Sequence, residues 1–188
     1  MHWFVALAAV GQFSTASNLH LGVDVNLVPV AGPGFGVGGS GRWKSFGFGL
    51  YASSQRISGL AQRVSFEAVS GATTHLKLLI SARFRYHPLE TLTGPYLALD
   101  VGAEEWSVSS GGASASIVNG LVTPKLGFQW FPFEPGGSVR NGRGFWLGAS
   151  LGAIFIIVPE RFRQLPDGSS ARLREVIVNP ELFVGWWW

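Results

Sequence analysis

Hydrophobic and polar or small residues alternate along much of the chain. Leu19, Leu21, Val23, Val25 and Leu27 share one parity, and His20, Gly22, Asp24 and Asn26 the other. Successive side chains of a strand point to opposite faces, so this period of two predicts a strand. Phe35, Val37 and Trp43 continue the pattern against Gly36, Gly38, Ser40 and Arg42. Parity breaks at Lys44-Ser45, which predicts a hairpin turn before Phe46, Phe48, Leu50 and Ala52. In residues 73–87, Leu76, Leu78, Ile80, Ala82, Phe84 and Tyr86 oppose His75, Lys77, Ser81, Arg83, Arg85 and His87. Residues 95–107 set Leu97, Leu99, Val101 and Ala103 against Tyr96, Ala98, Asp100, Gly102 and Glu104. Residues 121–131 set Val122, Leu126, Phe128 and Trp130 against Thr123, Lys125, Gly127 and Gln129. The last segment sets Val176, Val178, Leu182, Val184, Trp186 and Trp188 against Asn179, Glu181 and Gly185.

The longest apolar run without charge, residues 144–159, alternates too, with Phe145, Leu147, Ala149, Leu151, Ala153, Phe155 and Ile157 on one parity. It is slightly short of the roughly 20 residues that a spanning helix needs, so it reads as a strand. The count is eight strands. Residues 3–13 and 63–69 are candidates for two more, which would make ten and reverse the sidedness of the early turns.

Composition turns this pattern into an environment. The chain has 188 residues, of which 13% are charged and 47% hydrophobic, and 26 are glycine. A soluble domain carries about 25% charged residues, so this one is short of the charge needed to cover a surface. An aromatic content of 13% excludes disorder. With Cys 0, disulfides, thiolate metal sites and cysteine catalysis are excluded. The length fits one domain over residues 18–188. Residues 1–17 read as a truncated leader or a lead-in to the first strand, with residues 3–13 as an extra strand the competing reading.

One strand parity carries bulky apolar groups, and the other carries glycine and charge. A soluble barrel would bury the apolar parity. Here that face is too continuous to be an interior, which predicts a closed antiparallel transmembrane β-barrel, an all-β up-and-down meander with lipid outside. Closure also gives every backbone N–H and C=O a partner, which lipid cannot supply. With the C-terminus taken as periplasmic, one end gathers Trp43, Phe46, Tyr86, Tyr96, Trp130, Phe131, Phe133, Phe145, Trp146, Trp186 and Trp188. This reads as an interfacial aromatic girdle. Phe35, Trp106 and Phe155 form a sparser second one. The other end carries loops at residues 53–72, 110–120 and 159–174.

With these strands in place, the chain resembles the small eight-stranded outer-membrane barrels of Gram-negative bacteria, the OmpA/OmpX-like group, over roughly residues 18–188. The carriers are the repeated amphipathic strands, GPYLALDVGAE, TPKLGFQWFPF, GFWLGASLGAIF and the ending PELFVGWWW. The resemblance implies an outer-membrane location and contact with the bilayer. It also implies that the barrel-assembly machinery reads the last strand. Trp188 stands where an ending phenylalanine is usual, preceded by Trp186, Val184 and Leu182.

The lumen parity carries Asp24, Arg42, Lys77, Arg83, Arg85, Asp100, Glu104, Lys125 and Glu181. Aligning Tyr96 with His87 brings Arg83 opposite Asp100, and the same counting brings Lys125 beside Asp100. Buried charges need partners. The expectation is an ion network of Arg83, Asp100, Lys125 and Glu181, joined by Asp24, Lys77 and Glu104. An eight-stranded barrel is just wide enough for side chains to fill, so the network would plug the lumen; a narrow small-solute conduit is the alternative. Arg56, Arg63, Arg161, Arg163, Arg172 and Arg174 lie in the outer loops. They present an anion-facing surface at the height of lipopolysaccharide phosphates, or a partner-binding one. His75 with Ser53, Ser54 and Glu104 is the one constellation offering catalysis, and no family signature surrounds it. His20 and His87 sit on non-neighbouring strands and make no metal site. GFGVGGSGRW lacks the ending of a phosphate loop. The expectation is a structural or surface-interaction protein: no enzyme, no cofactor, no metal, no nucleic acid partner, and a monomer.

Overall fold

The computed structural model describes residues 19–30, 34–57, 59–89, 91, 93–133, 144–157 and 161–188. The possible leader or extra strand at residues 3–13 lies outside them. The elements are β1 (Leu19–Asn26), α1 (Leu27–Val30), β2 (Gly34–Trp43), β3 (Phe46–Ile57), α2 (Gly59–Ser65), β4 (Phe66–Ser70) and β5 (Thr73–Tyr86). They continue with β6 (Gly94–Ser110), β7 (Ala113–Trp130), β8 (Gly144–Ile156), β9 (Phe162–Gln164), β10 (Ser170–Leu173) and β11 (Val176–Trp187). Eight strands close a barrel in the order β1-β2-β3-β5-β6-β7-β8-β11, and β11 returns to β1. Every neighbouring pair is antiparallel. The barrel is therefore an eight-stranded meander.

The alternation decides which way each strand faces. Phe48, Leu50, Phe84, Leu97, Leu126, Leu151, Val178 and Leu182 are all exposed. Asp24, Arg83, Asp100, Lys125 and Glu181 are all buried. An apolar exterior this continuous is far larger than the patches a soluble monomer exposes, and it surrounds a charged interior. The chain is a transmembrane β-barrel. The end carrying Leu19 and Trp187 is called the lower end below. There Trp43, Phe46, Tyr86, Trp130, Phe133 and Trp186 stand exposed as an aromatic belt. Tyr96, Phe131 and Trp146, expected in the same belt, instead point inward and are buried. Their parity is that of the lumen, and proximity to a turn does not override the pleat.

The upper end departs further from the sequence reading. Residues 110–120 do not form a loop. β6 and β7 run on as strands of 17 and 18 residues, joined at Gly111-Gly112. Both glycines have positive φ, 56° and 88°, as a two-residue hairpin of the primed type requires. A membrane crossing takes about 9–11 residues, so this hairpin projects beyond the apolar band. With no lipid face to cover there, its Ser and Ala residues lose the hydrophobic alternation that marks the other strands. Residues 63–69 do contribute a strand, β4, but not to the barrel: β4, β10 and β9 form a separate three-stranded sheet. That sheet caps the upper lumen. Phe66 of the cap meets Trp106 edge-on, with ring centres 5.2 Å apart. Ala171, Leu165 and Leu173 join Ile57, Leu76, Val108, Ile117, Leu121, Ile154 and Ile177 in one apolar core beneath it. Trp106, assigned above to a second girdle, belongs to this core and is 3% exposed. Phe35 and Phe155 do face outward.

One bulge explains the change of facing in β5. Leu76 pairs with Trp106 and Leu78 with Glu105, which leaves Lys77 as an extra residue. The register with β3 slips at the same height, between Ser53 and Gln55. An extra residue inverts parity beyond it. Leu76 therefore turns into the lumen and Lys77 turns out.

Candidate functional site: the barrel lumen

Four strands each bring one charge to the middle of the lumen. Cross-strand register sets Arg83 of β5 directly opposite Asp100 of β6. Lys125 comes from β7, the next strand after β6, and Glu181 of β11 reaches in from the opposite wall. The Arg83 Nε donates to both Asp100 carboxylate oxygens at 3.0 Å, and its Nη2 donates to Asp100 Oδ2 at 2.8 Å and to Glu181 Oε1 at 2.9 Å. The Lys125 Nζ donates to Asp100 Oδ2 and Glu181 Oε2, both at 2.7 Å. Ser150, opposite Glu181 in the ladder, donates its hydroxyl to Glu181 Oε2 at 2.8 Å. Two cations and two anions form a closed, neutral ring that ties β5, β6, β7 and β11 across the lumen. No member has more than 5% of its side chain exposed. These are the short, charge-assisted bonds that buried ions require.

At and below the ring, cations lie against aromatic faces. The Arg83 guanidinium lies 4.7 Å from the Tyr51 ring centre and 4.9 Å from that of Phe183. Arg85 lies 5.2 Å from Tyr96 and 5.8 Å from Trp146. Ring faces attract cations and cost less to desolvate than water-binding groups. At the lower rim, Arg42 donates to the backbone carbonyls of Lys44 at 2.9 Å and Thr91 at 3.1 Å. It so binds the β5–β6 connection over the lower opening. Glycines make room for these large groups. A Cβ on Gly127 would run into the Tyr96 ring, and one on Gly38 would lie 2.5 Å from Asp24 Oδ1. The glycine-rich stretch of β2 is thus spacing for the lumen.

Three residues expected in the network stand outside it. Asp24 and Glu104 face the lumen, each at most 3% exposed, and neither bonds to the four members. Lys77 is on the outer surface because of the bulge. It pairs there with Glu105 at 2.8 Å, with side chains 45% and 38% exposed. Tyr51 and Ser150 belong to the filled lumen as well, and strand parity alone does not single them out. Pairing residues 145–157 against 175–188 would have brought Ser150 opposite Glu181.

The six outer arginines divide. Arg161 pairs with Glu175 at 2.8 Å and with Glu67 at 3.9 Å. Arg163 donates to the Ser116 carbonyl at 2.9 Å. Both therefore brace the cap. Arg56, Arg63, Arg172 and Arg174 are exposed. Arg174 donates to the Arg63 carbonyl at 3.2 Å, which places these two side by side. The residues considered for catalysis do not converge: Thr74 and Leu76 point inward, so His75 faces out, whereas Ser53 and Glu104 are buried inside.

No protein-family model matches the chain, and no curated protein matches it. Solved structures do. The N-terminal barrel domain of Pseudomonas aeruginosa OprF aligns over 93% of this chain and 100% of its own, at 10% identity and a TM-score of 0.47. Ail, the attachment invasion locus protein of Yersinia pestis, aligns over 90% and 96%, at 15% identity and a TM-score of 0.45. Neisserial surface protein A aligns over 92% of this chain and 97% of its own, at 15% identity and a TM-score of 0.51. The chain therefore has the fold of neisserial surface protein A, an eight-stranded antiparallel barrel.

Proposed function

We propose that this protein is a monomeric, non-catalytic barrel of a Gram-negative outer membrane, with a structural or surface-interaction role and a lumen closed to solutes. The observation that carries this reading is the ring of Arg83, Asp100, Lys125 and Glu181, each cation bonded to both anions. A lumen filled by paired side chains fits an eight-stranded barrel. Planar-bilayer recording of the refolded protein tests it. The wild type is expected to give no steady single-channel steps. Steady steps whose ion preference changes with Lys125→Glu would overturn the plug in favour of a conduit.

The surface that would meet a partner is the basic cap. Arg63, Arg172 and Arg174 are exposed there, and guanidinium groups bind phosphate bidentately. Lipopolysaccharide phosphates are the partner this reading favours. Binding to vesicles that carry lipid A is expected to weaken in R172E/R174E and on removal of the lipid A phosphates. Equal binding in all three cases would leave the cap without this role. The alternation of Leu182, Val184 and Trp186 up to Trp188 supports recognition of the last strand by the barrel-assembly machinery. Truncation of Trp188 is then expected to lower the amount of assembled, heat-modifiable barrel in the outer membrane.

A further inference from the structure

Above the ion ring the lumen is not filled. A chamber of about 330 Å³ lies between the ring and the cap. Asp100, Lys125 and Glu181 form its floor, and Leu76, Leu121, Ile154 and Ile177 form its walls. This is the size and make-up of a small-ligand site, apolar with a few placed polar groups. Glu104 is the one charged residue of the described lining that the ring leaves out. It is 2% exposed, and among the described residues no cation pairs with it; its carboxylate meets only the neutral Trp106 indole and Asn119 amide side chains. A carboxylate has about four acceptor sites, and burying it without a cation is costly, so a ligand that brings a further donor would relieve it.

Among the described residues, the strand ladder of the barrel wall is incomplete beside this chamber. β1 pairs with β11 only from Gly22↔Trp187 to Asn26↔Phe183. β11 begins at Val176, so its residues 176–182 have no β1 partner. α1 and α2 pack against this stretch in place of a strand. Pro180, which cannot donate to a ladder, lies within it. Val28 of α1, Leu60 and Ala61 of α2, and Val178 and Pro180 of β11 all border the chamber, and Val178 is 55% exposed on the lipid face. From Trp186 in the lower belt to Val178 is a rise of about 20 Å for a strand tilted by about 40°. The opening thus lies near the outer edge of an apolar band about 25 Å tall.

We propose that the chamber binds a small aliphatic molecule bearing one hydrogen-bond donor, an alcohol or primary amine, taken sideways from the outer leaflet. The donor meets Glu104, and the chain lies along Leu76, Leu121, Ile154 and Ile177. This goes beyond the role proposed above: a plugged floor and a ligand-binding chamber coexist in one lumen.

The test uses the full chain, methyl-labelled, in phospholipid nanodiscs, titrated with 1-decanol and with decane. Decanol is expected to shift the methyl signals of Leu76, Leu121, Ile154 and Ile177 saturably and to leave lipid-facing Leu97 and Leu126 unmoved. Its affinity should exceed that of decane about tenfold, the worth of a hydrogen bond to a charged group. Glu104→Leu should bring the two ligands level, and Glu104→Gln should keep part of the preference. Ala61→Trp, which narrows the opening, should slow saturation while leaving the fold intact by heat-modifiable migration. Linear shifts that affect Leu97 equally would overturn the site. A decanol preference unchanged in Glu104→Leu would overturn the role of Glu104, and unchanged kinetics in Ala61→Trp would overturn the sideways route.

Discussion

The two halves of the lumen solve the same packing problem in opposite ways. The middle and lower half holds charges, which are neutralised in a ring and laid against aromatic faces. The upper half holds aliphatic side chains under a small sheet, with a chamber left between. Polar filling needs strict pairing, because each buried ion lacking its partner costs several kcal/mol. Apolar filling tolerates a void more cheaply, since an unfilled space costs only lost contacts. The ion ring is fully paired, and the gap lies on the apolar side.

The sharpest way to break this comparison is Arg83→Ala. It would leave Asp100 and Glu181 sharing one cation, and a loss of about 3–5 kcal/mol is expected on urea unfolding in lipid vesicles. Replacing the whole quartet by apolar residues (R83M/D100L/K125M/E181L) is expected to be neutral or stabilising. A quadruple variant as unstable as the single one would mean that the ring does more than satisfy its own members. In the upper half, Leu121→Ala should cost about 2–4 kcal/mol by the same measurement. Leu126→Ala, on the lipid face of the same strand, should cost well below that. Equal losses would mean that upper-lumen packing contributes no more than lipid contact. Gly127→Ala drives a methyl group into the Tyr96 ring and should cost about 1–3 kcal/mol. Lys77→Ala should change stability by less than about 1 kcal/mol, because its pair with Glu105 is solvated. A loss as large as that of Arg83→Ala would place Lys77 back in the lumen.

The cap offers the smallest effect. The Asp167 carboxylate accepts from the Ser169 hydroxyl and backbone N–H, which hold its pKa below the ordinary value. A depressed folded pKa stabilises the turn above the unfolded pKa, and that contribution is lost as pH falls through the folded one. A smaller protection factor at the Ser169 amide, taken against the intrinsic exchange rate at each pH, is expected on acidification, and Asp167→Asn should remove that change. A protection factor that ignores pH in the wild type would detach this carboxylate from the order of the cap.

Much of the ion ring was legible because it depends on counting. Strand parity assigns each charge to the inner face, and the turn between His87 and Tyr96 sets the register that brings Arg83 opposite Asp100. Lys77 defeated the same count, because one extra residue inverts parity and nothing in TTHLKLLIS marks the bulge. The upper core was not legible for a different reason. Leu76 and Leu78 are equally hydrophobic, and hydrophobicity does not tell a membrane-facing leucine from one beneath a cap. The aromatic girdle fails likewise at Trp106 and Trp146, both buried, because nearness to a strand end does not make an aromatic interfacial.

By itself, the sequence determined that this is a barrel of amphipathic strands with lipid outside and charge within. Period two and the shortage of charge are local properties, readable segment by segment. Tertiary structure alone decided which strand runs past the membrane, where the bulge turns β5 over, and that β1 stops short of β11. Those depend on how distant segments pair, and pairing energy between strands is not written in either strand alone.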